Sequence, residues 1–210
     1  MARWLGIFAV AASLAACGAT TAESRSARVS EPARPTCARA DSHTIASDRV
    51  ARVYSWHSTV YGCALGRTYR LGAVSRSISE SRVGPVALAG EDVAYGLATY
   101  GVDTGSTEVV VRRLTSGKTL HRDSATSRPL GPEAFQSVDS LVLRRDGAVA
   151  WIGQAQSIVS HSREVEVVRD DRRGEATLDE GTAIATGSLR LNGSTLTWKH
   201  GGATRSAALS

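Results

Sequence analysis

Residues 141–151, LVLRRDGAVAW, contain the pattern that best indicates the fold class of the chain. Two short apolar runs flank Asp146-Gly147, a pair that suits the positive-φ positions of a hairpin turn. The second run ends in an aromatic residue, and the same arrangement recurs in three other places. The aromatic residues in question are Tyr61, Tyr95, Trp151 and Trp198. The pattern predicts a hairpin that is repeated four times.

A second hairpin is predicted after the first in the two middle repeats. Residues 108–114 and 119–120 flank Ser116-Gly117-Lys118, and residues 164–168 and 176–178 flank Arg173-Gly174. No segment keeps a helical period of 3.6 over three turns. The aromatic positions lie 34, 56 and 47 residues apart, so we expect an all-β body of about four short four-stranded units.

On these residues the chain resembles bacterial secreted β-propeller repeats of the WD-like and PQQ-like kind. Residues 141–151 and 109–118 carry the resemblance, which extends over residues 48–210; the chain departs from it in lacking a Trp-Asp dipeptide. The resemblance implies a β-propeller-like fold in which the four aromatic residues pack between neighbouring sheets. A small closed ring, a ring shared by two chains and an open sandwich all remain open, and a generic β-sandwich is the alternative fold. Sugar or peptide stacking is the alternative role for the aromatic residues.

The amino terminus predicts export. Arg3 precedes a thirteen-residue apolar stretch, Trp4 to Ala16, which is too short to span a membrane and is typical of a signal peptide. The sequence Leu14-Ala15-Ala16-Cys17-Gly18 resembles the lipobox of bacterial lipoproteins, which implies lipidation of Cys17. Cleavage near residues 20–22, giving a secreted protein, is the alternative. We expect a signal peptide at 1–16, a lipidated cysteine and flexible tether at 17–36, and the β domain at 37–210.

Lipidation of Cys17 leaves two further cysteines, Cys37 and Cys63. In an oxidising compartment a disulfide between them is the expected state, and two buried free thiols are the alternative. Neither cysteine has the spacing of a zinc ligand.

The net charge of the chain excludes few functions, and the positions of its arginines suggest an anionic partner. The formal net charge is +5, and 23 of the 25 basic residues are arginines that are spread through the chain, so nothing predicts nucleic-acid binding. Three arginine pairs lie beside predicted turns: Arg112-Arg113, Arg144-Arg145 and Arg172-Arg173. They predict a solvated rim or, if their turns share one face, a site for phosphate- or carboxylate-bearing envelope polymers. Another envelope protein is the alternative partner, and the lipid is the only membrane contact we expect.

The sequence offers little catalytic chemistry. It lacks a nucleophile elbow, a P-loop, a dinucleotide fingerprint, a zinc-protease helix and a calcium loop. We therefore expect no cofactor and no metal, and we expect the five histidines to be solvated residues in turns. One segment, Val102-Asp103-Thr104-Gly105-Ser106, is similar to the signature of aspartic proteases, which implies a dimeric peptidase that uses Asp103. A solvent-facing loop between two strands also explains these residues. The expected function is a non-catalytic, lipid-anchored binding or scaffolding module outside a bacterial membrane.

Overall fold

The computed structural model describes residues 37–75, 80–101, 105–128, 130 and 133–210. Within these ranges the chain is all β, with fifteen strands, which confirms the predicted fold class at that level. The expected signal peptide and tether, including Cys17, lie outside the described residues, as does Asp103.

The strands form four consecutive antiparallel units. The first unit contains β1 (His43–Ser47), β2 (Ala51–Trp56), β3 (Thr59–Ala64) and β4 (Arg67–Ala73). The second contains β5 (Arg82–Ala89), β6 (Asp92–Tyr100), β7 (Gly105–Arg113) and β8 (Thr119–Ser124). The third contains β9 (Ala134–Leu143), β10 (Val149–Ser157), β11 (Arg163–Asp171) and β12 (Gly174–Glu180). The fourth contains β13 (Arg190–Asn192), β14 (Thr195–His200) and β15 (Ala203–Ala208).

Two single parallel pairings join the first three units. Ala73 of β4 pairs with Arg82 of β5, and Gly105 of β7 pairs with Phe135 of β9. The hydrogen-bonded path therefore runs from β1 to β12, with β8 attached to β7, while β13–β15 form a separate sheet. Among the described residues the path is open, because β1 and β12 are its two end strands.

Three apolar clusters hold consecutive units together. The first contains Val53 and Val60 from the first unit and Tyr95 and Leu114 from the second. The second cluster joins the second and third units through residues such as Val109, Val111, Leu141 and Trp151. The third joins the third and fourth units through residues such as Ile152, Val167, Leu196 and Trp198. The units are therefore layers that pack face to face in chain order.

Central strands are buried on both faces because a unit lies on each side of them. On β6, Tyr95 belongs to the first cluster and Ala94 to the second. On β10, Trp151 belongs to the second cluster and Ile152 to the third. Burial of both faces explains why these strands have near-continuous apolar sequences instead of the alternation of a half-exposed strand.

Corresponding turns of the units lie at one end of the stack, here called the cleft end. It carries the turns between the first and second strands of each unit and between the third and fourth. Gly147, in the β9–β10 turn, has φ +91°, and Gly193, in the β13–β14 turn, has φ +60°. Both values confirm the conformation expected of Asp-Gly and Asn-Gly turns.

The predicted hairpins are present, with one change of position. Within the described residues the fourth unit has three strands instead of the predicted four. Tyr95, Trp151 and Trp198 lie on the second strands of their units and are at most 3% exposed. Tyr61 instead lies on a third strand, β3, so Tyr54 of β2 is the residue that corresponds to the other three. The two tyrosine rings stack at 5.6 Å between centroids. Strand β1 was not predicted, because His43–Ser47 is a mostly exposed strand without an apolar pattern.

Candidate functional site

A cleft of about 740 Å³ opens at the cleft end, between the first and second units. The β1–β2 turn, the β5–β6 turn and Arg145 of the β9–β10 turn contribute to its lining. A second depression of about 630 Å³ continues it toward Gly193 of the fourth unit. The first turns of all four units therefore border one concave surface.

Asp48 fixes the floor of the cleft. Its Oδ1 accepts hydrogen bonds from the amides of Val50 and Ala51, both at 2.7 Å, and its Oδ2 accepts one from the amide of Gly90 at 3.0 Å. This carboxylate therefore links the first turns of two units. Burial raises the pKa of Asp48, but the three amides and the charge of Arg145 outweigh that effect, so its pKa lies below the ordinary value.

Most acidic groups around the cleft are already bonded. Asp92 accepts two hydrogen bonds from Arg113, at 2.9 and 3.1 Å. Glu91 accepts one from the Thr115 hydroxyl at 2.8 Å. The lining contains three arginines and three acids, so recognition there depends on free donors rather than on net charge.

Two arginines of this surface keep free guanidinium groups. Arg49 and Arg145 are exposed, and within the described ranges neither forms an ion pair. Arg145 lines both depressions. A planar guanidinium with free N–H groups is suited to a carboxylate or a phosphate.

All three doubled arginine pairs lie at the cleft end. Arg112 and Arg113 are the last residues of β7, whereas the other two pairs lie in the β9–β10 and β11–β12 turns. Three of the six arginines form ion pairs there. Arg113 binds Asp92, Arg144 binds Asp146 at 3.2 Å, and Arg173 binds Asp171 at 3.0 Å. Arg112 donates to the Arg70 carbonyl at 3.3 Å, and the Arg172 side chain is exposed. The six arginines are therefore not an even ring of free positive charge.

The predicted disulfide is present between Cys37 and Cys63. Cys37 also accepts a hydrogen bond through its carbonyl from Arg52 of β2 at 3.1 Å. Arg39 lies over the Trp56 ring at 3.5 Å. The bond thus ties residues 37–42 to the outer face of the first unit.

Asp103 belongs to the connection between β6 and β7, whose terminal residues Tyr100 and Gly105 pair with each other. These two flanking residues, Tyr100 and Gly105, lie at the end of the stack opposite the cleft. The peptidase role of Asp103 stays a prediction, because residues 102–104 are outside the described ranges.

The histidines differ from the expectation that all are solvated. His43, His57 and His161 are exposed. His43, His121 and His200 lie on strands and not in turns. His121 and His200 also contact buried carboxylates: His121 Nδ1 is 2.5 Å from Asp170, and His200 Nδ1 is 3.0 Å from Asp179. The prediction is wrong for these two because each contact joins residues far apart in the chain.

A further group of charged residues, which the sequence did not predict, lies between the second and third units. His121 and Asp123 of β8 and Asp170 of β11 place one potential ligand atom each within 4.8 Å of the others. Burial, followed by the charges of Asp170 and Glu175, raises the pKa of Asp123 to about 6. The only available signal was His-x-Asp spacing on a strand, which places both side chains on one face.

The chain matches no known protein family, no curated protein and no solved structure. In the described ranges no helix has the length and apolar character needed to cross a membrane.

Proposed function

We propose that the protein is an exported, lipid-anchored binding module of the bacterial cell envelope with a propeller-like body. In this proposal each unit is a blade and the cleft end is the ligand-binding face. The module acts by holding an anionic group and not by catalysis.

The layered packing supports the propeller-like part of the proposal. A two-layer sandwich has one interior, whereas apolar clusters lie at three successive interfaces here. First strands of consecutive units also contact each other, β1 with β5 and β5 with β9. Such contacts are expected where inner strands surround an axis.

Two arginines support an anionic ligand. Arg49 and Arg145 border the same concave surface, and neither forms an ion pair in the described part of the chain. The neighbouring carboxylates of Asp48 and Asp92 are already bonded. A phosphate or carboxylate of an envelope polymer would therefore meet free donors at this surface. Backbone turns from several units give room for an extended ligand.

Binding to a soluble glycerol-phosphate oligomer tests this proposal, with neutral dextran as the reference. We expect Arg49→Gln combined with Arg145→Gln to weaken binding about tenfold or more, because two charge-assisted contacts are lost. The control is Arg82→Gln combined with Arg163→Gln, which removes the same charge at the opposite end of the stack. Equal weakening by both double variants, or no preference for the phosphate oligomer over dextran, would overturn the proposal.

The anchor is tested separately. Intact-mass measurement of the protein extracted from membranes should give a diacylglyceryl group on Cys17 and loss of residues 1–16. Cys17→Ser should move the protein from the membrane to the soluble fraction. An unmodified mass in the native protein would refute the anchor and favour secretion.

A further inference from the structure

The group formed by His121, Asp123 and Asp170 lies where the outer strand of the second unit meets the third unit. His121 and Asp123 are on β8, and Asp170 is on β11. Their side-chain ligand atoms are within 4.8 Å of one another, and His121 Nδ1 approaches Asp170 Oδ2 to 2.5 Å. Three ligand atoms of the types that bind transition metals therefore converge from two different units.

A carboxylate oxygen of Asp123 also supports a bound ion at this group. The Oδ2 atom of Asp123 is fully buried, and no donor among the described residues forms a hydrogen bond with it. A buried carboxylate oxygen without a donor loses its hydration and gains nothing in return. A cation between the three side chains would supply the missing partner.

Negative charge at the group exceeds positive charge. Glu175 of β12 is paired in register with Asp170, which brings a further carboxylate close. No Lys or Arg among the described residues forms an ion pair with Asp123, Asp170 or Glu175. The neighbouring arginines are engaged elsewhere, as Arg122 binds Glu108 and Arg169 binds Asp171. The local imbalance therefore favours a divalent ion over a simple hydrogen bond.

We propose that His121, Asp123 and Asp170 form a binding site for a divalent transition metal of the zinc type. An imidazole nitrogen with two carboxylate oxygens suits Zn²⁺ better than Ca²⁺ or Mg²⁺, which prefer oxygen ligands alone. The His121 side chain is 31% exposed, so water can complete the coordination. Metal–ligand bonds of about 2.0 to 2.2 Å place neighbouring ligand atoms roughly 3 Å apart. His121 and Asp170 would separate slightly on binding.

The metal would act as a cross-link between two units. Two of its ligands come from β8, the outer strand of the second unit, and the third comes from the third unit. Binding therefore raises the stability of the folded protein by mass action, since the unfolded chain does not preform the site.

Calorimetric titration of the purified, EDTA-treated protein with Zn²⁺, Ca²⁺ and Mg²⁺ tests the proposal. We expect one Zn²⁺ per chain, no comparable binding of the other two ions, and a higher melting temperature with Zn²⁺. The variant Asp123→Asn should weaken Zn²⁺ binding about tenfold or more. In EDTA the same variant should melt no lower than the wild type, because it removes a buried unpaired charge. This distinguishes loss of the site from loss of the fold.

His161→Gln is the matched control, since His161 is exposed in the β10–β11 connection, away from the group. It should bind Zn²⁺ as the wild type does. The proposal is overturned if the folded wild type does not bind Zn²⁺. It is also overturned if Asp123→Asn keeps wild-type affinity, or if His161→Gln loses as much affinity as Asp123→Asn.

Discussion

The buried carboxylates of Asp171 and Asp179 connect separate parts of the chain. Asp171, whose side chain is fully buried, accepts hydrogen bonds from the amide of Arg173 and the amide of Ser210, both at 2.9 Å. Asp179 accepts bonds from Trp198 Nε1 at 2.6 Å and Arg205 Nη1 at 2.5 Å. Both groups join the third unit to the fourth, so their charges contribute directly to the packing of layers.

Stability should fall in acid through Asp171. Burial raises its pKa, but the hydrogen bonds from Arg173 and Ser210 and the charge of Arg169 outweigh burial, so the pKa in the folded protein lies well below 3.8. The stabilisation is thus fully present above the unfolded value and is lost as pH falls through the folded value. Asp171→Asn should lower the free energy of unfolding at pH 7 by about 2 kcal/mol.

Urea denaturation at pH 7 and at low pH measures this effect. The difference between Asp171→Asn and the wild type should narrow in acid, because the wild-type carboxyl then also becomes neutral. Asp139→Asn, at an exposed position on β9, is the control. An acid-independent difference for Asp171→Asn would contradict the assignment.

The sequence predicted some of these long-range contacts and not others. The Cys37–Cys63 disulfide followed from the count of cysteines and the expected compartment. The contacts of His121 with Asp170 and His200 with Asp179 were not predictable, because each depends on how one unit packs on the next. Composition and spacing carry no information about such long-range pairs.

Strand β10 shows why Gly153 lies two residues after the aromatic Trp151. Trp151 Nε1 donates to the Ala125 carbonyl at 2.9 Å. A Cβ on Gly153 would lie 1.7 Å from the same oxygen. The β9–β10 pairing is also irregular between Ile152 and Gly153. Trp151 and Gly153 together therefore allow the second and third units to approach each other closely.

Gly153→Ala should reduce the free energy of unfolding by more than about 2 kcal/mol, because a backbone atom must move to admit the methyl group. Gly187→Ala is the control, since no atom of the described residues lies within 4 Å of its Cβ position. That variant should stay within about 0.5 kcal/mol of the wild type. Equal stability of the two variants in chemical denaturation would refute the close-approach argument.

The disulfide fixes the segment before β1. It closes a separation of 26 residues, so replacing both cysteines by serine should cost about 3 kcal/mol of unfolding free energy. Reductant should shift the wild type toward the double variant and leave that variant unchanged. A wild type that is insensitive to reductant while the bond is demonstrably broken would contradict this prediction.

Strand positions were largely predictable, because turn residues with positive φ separate apolar runs. Strand β1 was missed since its residues are mostly exposed and its pairing with β2 is what defines it. Tyr61 was equated with the wrong strand because the β2–β3 turn at His57-Ser58 lies between two short apolar runs and has positive φ, as the first turns of other units do. Aromatic spacing alone does not fix which hairpin of a unit carries the residue.

At the scale of the whole molecule, repetition of one unit explains the stack of layers. Each unit has two faces, so inner units need apolar residues on both, and the sequence supplies them on β6 and β10. The number of units followed from the repeated hairpins. Their closure did not, because a local pattern does not report how the first and last units meet.

The same stack brings the first turns of all four units to one end, and ligand binding at that end is the central claim. Amide chemical-shift mapping of the labelled protein during titration with the glycerol-phosphate oligomer tests it most directly. We expect the largest shifts at Arg49, Gly90, Arg145 and Gly193, which border the cleft and its continuation. Largest shifts at the opposite turns, His57-Ser58 and Gly201-Gly202, or no shifts at all, would contradict it.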